Sequence, residues 1–224
     1  MVDTKGQEIN LLDLYPRSKR PIDERGALVT VENKNIAKQF GREYFDGDRM
    51  YGYGGYRYQE RFWKDTVRRF RDHYQLAENA RILDVGCAKG FMMHDFKKLM
   101  PHAHIEGIDI SAYAKENAIE EMKPFIHTGN ARELPFADNS FDLVICINTI
   151  HNLVLDECKQ ALAELQRVSG GKAFLTVDAW RNEKEHQNML KWNLTAQTYM
   201  HADDWKKLFV ETGYKGDYFW FIAE

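Results

Sequence analysis

The stretch "RILDVGCAKGF", residues 81–91, decides the fold. It opens as a short apolar run that ends at Gly86. The segment that follows, "GFMMHDFKKLM" (90–100), places Met92, Phe96 and Leu99 on one side, which is helical spacing. The reading is a strand, a tight turn and a helix. Gly86 and Gly90 flank the turn, Ala88 adds only a methyl group, and small residues let a backbone approach a ligand closely. The first N–H groups of the helix are open to an anionic ligand group. A dinucleotide fingerprint would read G-x-G-x-x-G; here the spacing is G-x-x-x-G, with Asp84 two residues ahead of it. A carboxylate there would repel a pyrophosphate and suits an ammonium.

Working outward, strand and helix alternate. "AHIEGIDI" (103–110), "PFIHTG" (124–129), "FDLVICIN" (141–148), "KAFLTVD" (172–178) and "DYFWFIAE" (217–224) read as strands. Helices are expected at 57–77, after Ser111 as an N-cap, at 156–168, and at 201–214 up to Gly213. Nearly continuous apolar strands are buried on both faces, so the fold class is α/β, a doubly wound, mostly parallel sheet with an N-terminal aromatic and helical cap. The expected division is residues 1–77 as arm and cap and 78–224 as the ligand-binding domain. In such a sheet the ligand lies beyond the carboxyl ends of the strands.

Those ends carry the chemistry. Asp109 can accept two ribose hydroxyls. Asn130 and Ala131 lie within reach of an adenine ring. Asn148 and His151 are polar groups just after a buried strand, where a cleft would explain them. An ammonium and a ribose in one ligand fit this set better than a nicotinamide dinucleotide does.

Composition narrows the class. The chain has 224 residues and a net charge of −3, so nothing attracts it globally to nucleic acid or anionic membrane. Three scattered cysteines, Cys87, Cys146 and Cys158, suit a reducing compartment rather than a disulfide framework or zinc site. "MVDTKGQEIN" has no apolar leader segment, and no run reaches membrane-spanning length, so the expectation is a cytoplasmic protein.

Taken in order, "ILDVGCAKGF", "GIDIS", "TGNARELPF" and "FDLVICINTIHNL" resemble the motifs of class I S-adenosylmethionine-dependent methyltransferases, over roughly residues 80–180. The resemblance implies S-adenosylmethionine as cofactor, S-adenosylhomocysteine as product, and cofactor contacts from Asp84, Gly86, Cys87, Ala88, Gly90, Asp109, Ile110, Asn130, Ala131 and Asn148. It also implies a seven-stranded sheet ending in an antiparallel hairpin, for which one edge strand is missing here. Two departures stand out: Ala88 replaces a usual glycine, and Asn130 a frequent aspartate. "INTIHN" lacks the N-P-P-Y signature of base and amide methylation, and no paired-glutamate loop marks a protein arginine enzyme. His94, His102 and His104 show no metal-ligand pattern. A small-molecule acceptor follows, methylated on oxygen or amine nitrogen, with a polar metabolite such as a sugar or natural-product intermediate expected. The alternatives are a nicotinamide oxidoreductase and a non-catalytic adenosyl-ligand-binding subunit.

"MYGYGGYRYQERFW" (50–63) has the reach to cover a sulfonium. Tyr51, Tyr53 and Arg57 are expected to wall in the cofactor, and Tyr56 to join His151 and Asp178 as candidates for handling the acceptor proton. The glycines suggest a movable lid; a fixed aromatic staple is the plainer reading.

Overall fold

A computed structural model describes residues 6–16 and 21–224. The remainder of the predicted arm, 1–5 and 17–20, lies outside the described residues. Four helices come first: α1 (Ile22–Leu28), α2 (Val31–Ala37), α3 (Arg42–Asp46) and α4 (Glu60–Tyr74). Then follow β1 (Arg81–Val85), α5 (Phe91–Leu99), β2 (His104–Asp109), α6 (Ala112–Glu116), β3 (Ile126–Thr128), β4 (Leu143–Ile147) and α7 (Leu155–Val168). The chain continues through β5 (Ala173–Trp180), α8 (Glu183–Trp192), β6 (Met200–His201), α9 (Ala202–Thr212) and β7 (Asp217–Phe221).

Local chemistry sets the boundaries. The Ser111 hydroxyl accepts from the Ala114 N–H at 3.0 Å and starts α6. Asn182 does the same for α8 through Glu185 N–H, and Gly213, at φ +70°, ends α9 in the left-handed conformation that glycine adopts freely. The short helices α1 to α3, together with α8 and the two-residue β6, were not among the elements read from sequence.

The sheet runs β3-β2-β1-β4-β5, and every strand pair in it is parallel. β7 pairs with the free edge of β5 over 174–178, and β6 pairs with the tip of β5 at Ala179 and Trp180. The order reverses between β1 and β4, which places a crevice above their carboxyl ends. The expected antiparallel edge is replaced: β7's outer edge is taken by residues 7–9, running parallel. Ile9 N–H donates to Tyr218 O at 2.9 Å, and Tyr218 N–H donates to Gln7 O at 3.0 Å. The sheet has its seven strands in β1 to β7, and the arm adds a single parallel bridge at this edge.

Helices α7 and α9 cover one face around Leu162, Leu165, Trp205 and Phe209. On the other face Val67, Phe70 and Tyr74 of α4 share one core with Ile82, Ile105, Ile145 and Phe174, and Leu11 of the arm is fully buried in it. A boundary at residue 77 therefore separates no two cores. Among the described residues no helix is long and apolar enough to cross a membrane.

Candidate active site

Two adjoining cavities open above the crevice. The smaller, about 110 Å³, lies over the ends of β1, β2 and β3. The larger, about 330 Å³, extends toward β5, β7 and the arm. Tyr53, Gly86, Ala88, Ile147 and Asn148 line both.

The floor is made by strand ends. Gly86 sits at φ +84°, and a Cβ on it would meet the Thr149 hydroxyl at 2.0 Å, so only glycine allows the turn to pass under the β4 loop. Ala88 adopts φ +49° and Asn148 φ +52°, left-handed conformations that cost a non-glycine residue about 1–2 kcal/mol, less for asparagine. Asp84 is buried with no cationic partner among the described residues; burial first, and then Asp109, push its carboxyl up to about 8. Such a group favours a cationic ligand. Asp109 lines the smaller cavity, yet its two oxygens already accept from Ala88 N–H and Ser111 N–H, each at 2.8 Å. It holds the glycine turn against the end of β2 and keeps one lone-pair direction per oxygen for a ligand. Ile110, Asn130 and Ala131 line the same cavity, and Cys87 the larger. Gly90 lines neither; at φ +72° it leaves little room for a Cβ, which would stand 3.1 Å from Ile126 and 3.2 Å from Met122.

The cover comes from upstream. Tyr53 and Tyr56 stand with ring centroids 4.3 Å apart, and Tyr56 stacks on Phe91 at 4.7 Å. Tyr53 is 45% exposed, so one face meets solvent while the other closes both cavities. The stretch is docked by its backbone: Tyr53 N–H donates to Tyr44 O at 2.9 Å, and Tyr56 N–H to Phe45 O at 2.9 Å. A buried ionic clasp fixes it further. Lys89, within the glycine turn, donates to Asp46 Oδ2 at 2.6 Å and to Tyr56 O at 3.0 Å. Tyr113 OH donates to the same Asp46 oxygen at 2.7 Å. Burial works against the Asp46 charge, but these donors outweigh it and hold the carboxyl below its ordinary range. Tyr58 OH donates to Asp95 at 2.6 Å and acts as a staple. Tyr51 and Arg57, expected against the cofactor, line neither cavity.

His151 and Asp178, expected at the acceptor, stand outside both linings. His151 is 4% exposed, lines neither cavity, and its Nδ1 accepts from the Asp178 N–H at 2.9 Å. Burial lowers its pKa, with Asp178 pulling the other way. Asp178 is buried in β5, in register with Phe221 of β7, and lines neither cavity, while its carbonyl accepts from Trp205 Nε1. The pair locks the β4 loop to β5. Sequence reasoning took a polar residue after an apolar strand for a cleft residue, whereas this one satisfies a backbone N–H in the core.

Several contributors were missed. Thr176, a polar residue inside an apolar strand, carried a signal, and so did Lys89, a lysine between two glycines. Tyr15, Trp63 and Phe219 of the larger cavity carried none, since they come from three separate places in the chain. Among the described residues no three His, Cys, Asp or Glu side chains cluster as a metal site.

Comparison with known proteins agrees with this geometry. A family model described as a methyltransferase domain matches residues 83–175, from β1 to the middle of β5. A protein named as a methyltransferase in Encephalitozoon cuniculi is 30% identical over 70% of this chain and 80% of its own. Malonyl-[acyl-carrier protein] O-methyltransferase of Legionella pneumophila is 29% identical over 66% of this chain and 51% of its own, and an uncharacterized Haemophilus influenzae protein is 32% identical over 62% and 60%. The chain thus spans about half to three fifths of the length of these last two relatives. YcgJ of Bacillus subtilis shares the fold at TM-score 0.52 and 21% identity, over 64% of this chain and 65% of its own. A methyltransferase of Archaeoglobus fulgidus does so at 0.52 and 16%, over 68% and 70%. The glycine turn and the acids at the ends of β1 and β2 lie within the span that the family model matches, and the chain belongs to the class I S-adenosylmethionine-dependent methyltransferase family.

Proposed function

We propose that the protein transfers a methyl group from S-adenosylmethionine to a small-molecule acceptor, with the adenosyl part in the smaller cavity and the methionine part and acceptor in the larger. The observation that carries this reading is the shared wall of Tyr53, Gly86, Ala88, Ile147 and Asn148, which makes the two cavities neighbours. The residues fit the cofactor. Buried Asp84 favours a cation and suits the ammonium; Asp109 keeps two lone-pair directions for ribose hydroxyls; Ile110, Asn130 and Ala131 border the adenine. When bound, the cofactor supplies a methyl carbon already activated by its sulfonium. The protein's own work is then to orient the reactants, exclude water with Tyr53 and Tyr56, and hold both at one junction. A cavity of about 330 Å³ falls in the small-molecule range of roughly 300–1,000 Å³. Within the upstream part, residues 40–58 act as its cover, and 78–224 form the binding domain.

Calorimetric titration tests this directly. S-adenosylhomocysteine should bind with a single site per chain and NADH should not. Binding of NADH alone would favour the oxidoreductase reading.

A further inference from the structure

Asn148 stands at the junction of the two cavities, and its amide is aimed. The Thr176 hydroxyl, 2% exposed, accepts from the Asn148 backbone N–H at 3.0 Å and donates to Asn148 Oδ1 at 2.8 Å. With the amide reversed, the buried hydroxyl hydrogen would lose its acceptor. Oδ1 is therefore spent on Thr176, and Nδ2, which makes no hydrogen bond among the described residues, is the atom offered to the junction.

The walls around it are aromatic: Tyr15, Tyr53, Tyr56, Trp63, Phe219 and Phe221. None of their hydroxyls can take a proton near neutrality, since burial lifts Tyr15 and Tyr56, and Tyr44 and burial lift Tyr53. Cys87 is lifted by burial too. Glu224 is an exposed rim group, 3.9 Å from Arg181. Asp84 is the carboxylate assigned above to the ammonium. No described residue of the larger cavity is left to deprotonate an alcohol or an ammonium group.

Building on the methyltransferase reading above, we propose that the acceptor brings a nucleophile needing no base: an ionised oxygen, such as a carboxylate or acidic enol, on a flat ring with apolar faces. Asn148, oriented by Thr176, donates to that oxygen. The oxygen has lone pairs for both the donor and the methyl carbon. An amine would direct its single lone pair at the methyl and its hydrogens at Nδ2, a donor facing donors. In the transfer the oxygen–methyl bond forms and the methyl–sulfur bond breaks, with its electron pair left on sulfur. The oxygen's negative charge and the sulfonium's positive charge cancel, and no proton moves.

Ligand-observed NMR titrations of the protein saturated with S-adenosylhomocysteine test this with benzoate, benzyl alcohol and benzylamine, which share a ring and differ in charge. Benzoate should bind at least about tenfold tighter than the other two. Asn148→Asp should abolish that preference, and Thr176→Val, which frees the amide to turn, should reduce it to within about threefold. Equal binding of the alcohol or amine, binding of none of the three, or a benzoate preference that survives Asn148→Asp overturns the proposal. Failure of S-adenosylhomocysteine itself to bind overturns instead the reading on which it rests.

Discussion

The floor of the two cavities and their cover are built by different means. The floor is backbone and short polar side chains at strand ends, each placed by the register of a parallel sheet. The cover is built on upstream aromatic rings, and its tyrosine stretch is held by backbone bonds, by Tyr58 on Asp95 and by the clasp between Asp46 and Lys89. The floor tolerates little: Gly86 cannot gain a carbon, and the oxygens of Asp109 are already half used. The cover can change rings and keep its backbone bonds. On the proposed function, cofactor binding falls to the floor, and acceptor choice to the cover and to the junction between them.

The largest effect should come from cutting the clasp. Asp46→Ala leaves Lys89, whose side chain is 7% exposed, without its ion partner, and should cost about 3 kcal/mol in denaturant unfolding. Lys89→Met should cost less, about 1 kcal/mol, because Asp46 is 26% exposed and retains the Tyr113 hydroxyl. Hydrogen exchange over 44–58 should accelerate in Asp46→Ala. If both variants cost the same and exchange does not change, the cover is held by its rings alone.

On the floor, Asp84 should work in opposite directions for stability and binding. Its folded carboxyl holds a proton to about 8, whereas an unfolded aspartate loses it near 3.9. The group therefore lowers the stability of the ligand-free protein as pH rises from about 4 to 8. Asp84→Asn should remove that slope and be the more stable protein at pH 8. The same variant should bind S-adenosylhomocysteine about ten- to a hundredfold more weakly, a loss of roughly 1.5–3 kcal/mol. In the parent protein, binding between pH 6 and 8 should release a proton, seen as a binding enthalpy that depends on the buffer, and affinity should rise with pH across that range. A flat profile would remove Asp84 from the ammonium site.

His151→Ala tests whether the histidine belongs to either region. It strips the acceptor from a buried N–H and should cost about 1–3 kcal/mol of stability. Turnover per folded molecule should stay within about threefold; a hundredfold fall would restore it as a proton carrier.

The smallest effects should come from Tyr51→Phe and Arg57→Ala, outside both cavities, with S-adenosylhomocysteine affinity changed less than about twofold. A tenfold loss from either would show that the cover closes further around ligand than it does here.

Local signals in the sequence were enough to place the parallel centre of the sheet, the turn and most of the floor, but not the sheet's edges. Apolar runs of strand length, Gly86 and Asp84 are local signals, and parallel topology then fixes where such residues stand. The sequence could not tell a core histidine from a cleft histidine, because an apolar strand end looks alike in both; only the packing of Asp178 against the β4 loop decided that His151 serves a backbone N–H. Nor did the sequence reveal that residues 7–9 bridge to β7, that Lys89 reaches Asp46, or that Thr176 turns Asn148. Each of these joins segments 28 to 211 residues apart in the chain. Such contacts form only where the whole fold brings the segments together, and so the cover, the clasp and the aimed amide are properties of the tertiary structure alone.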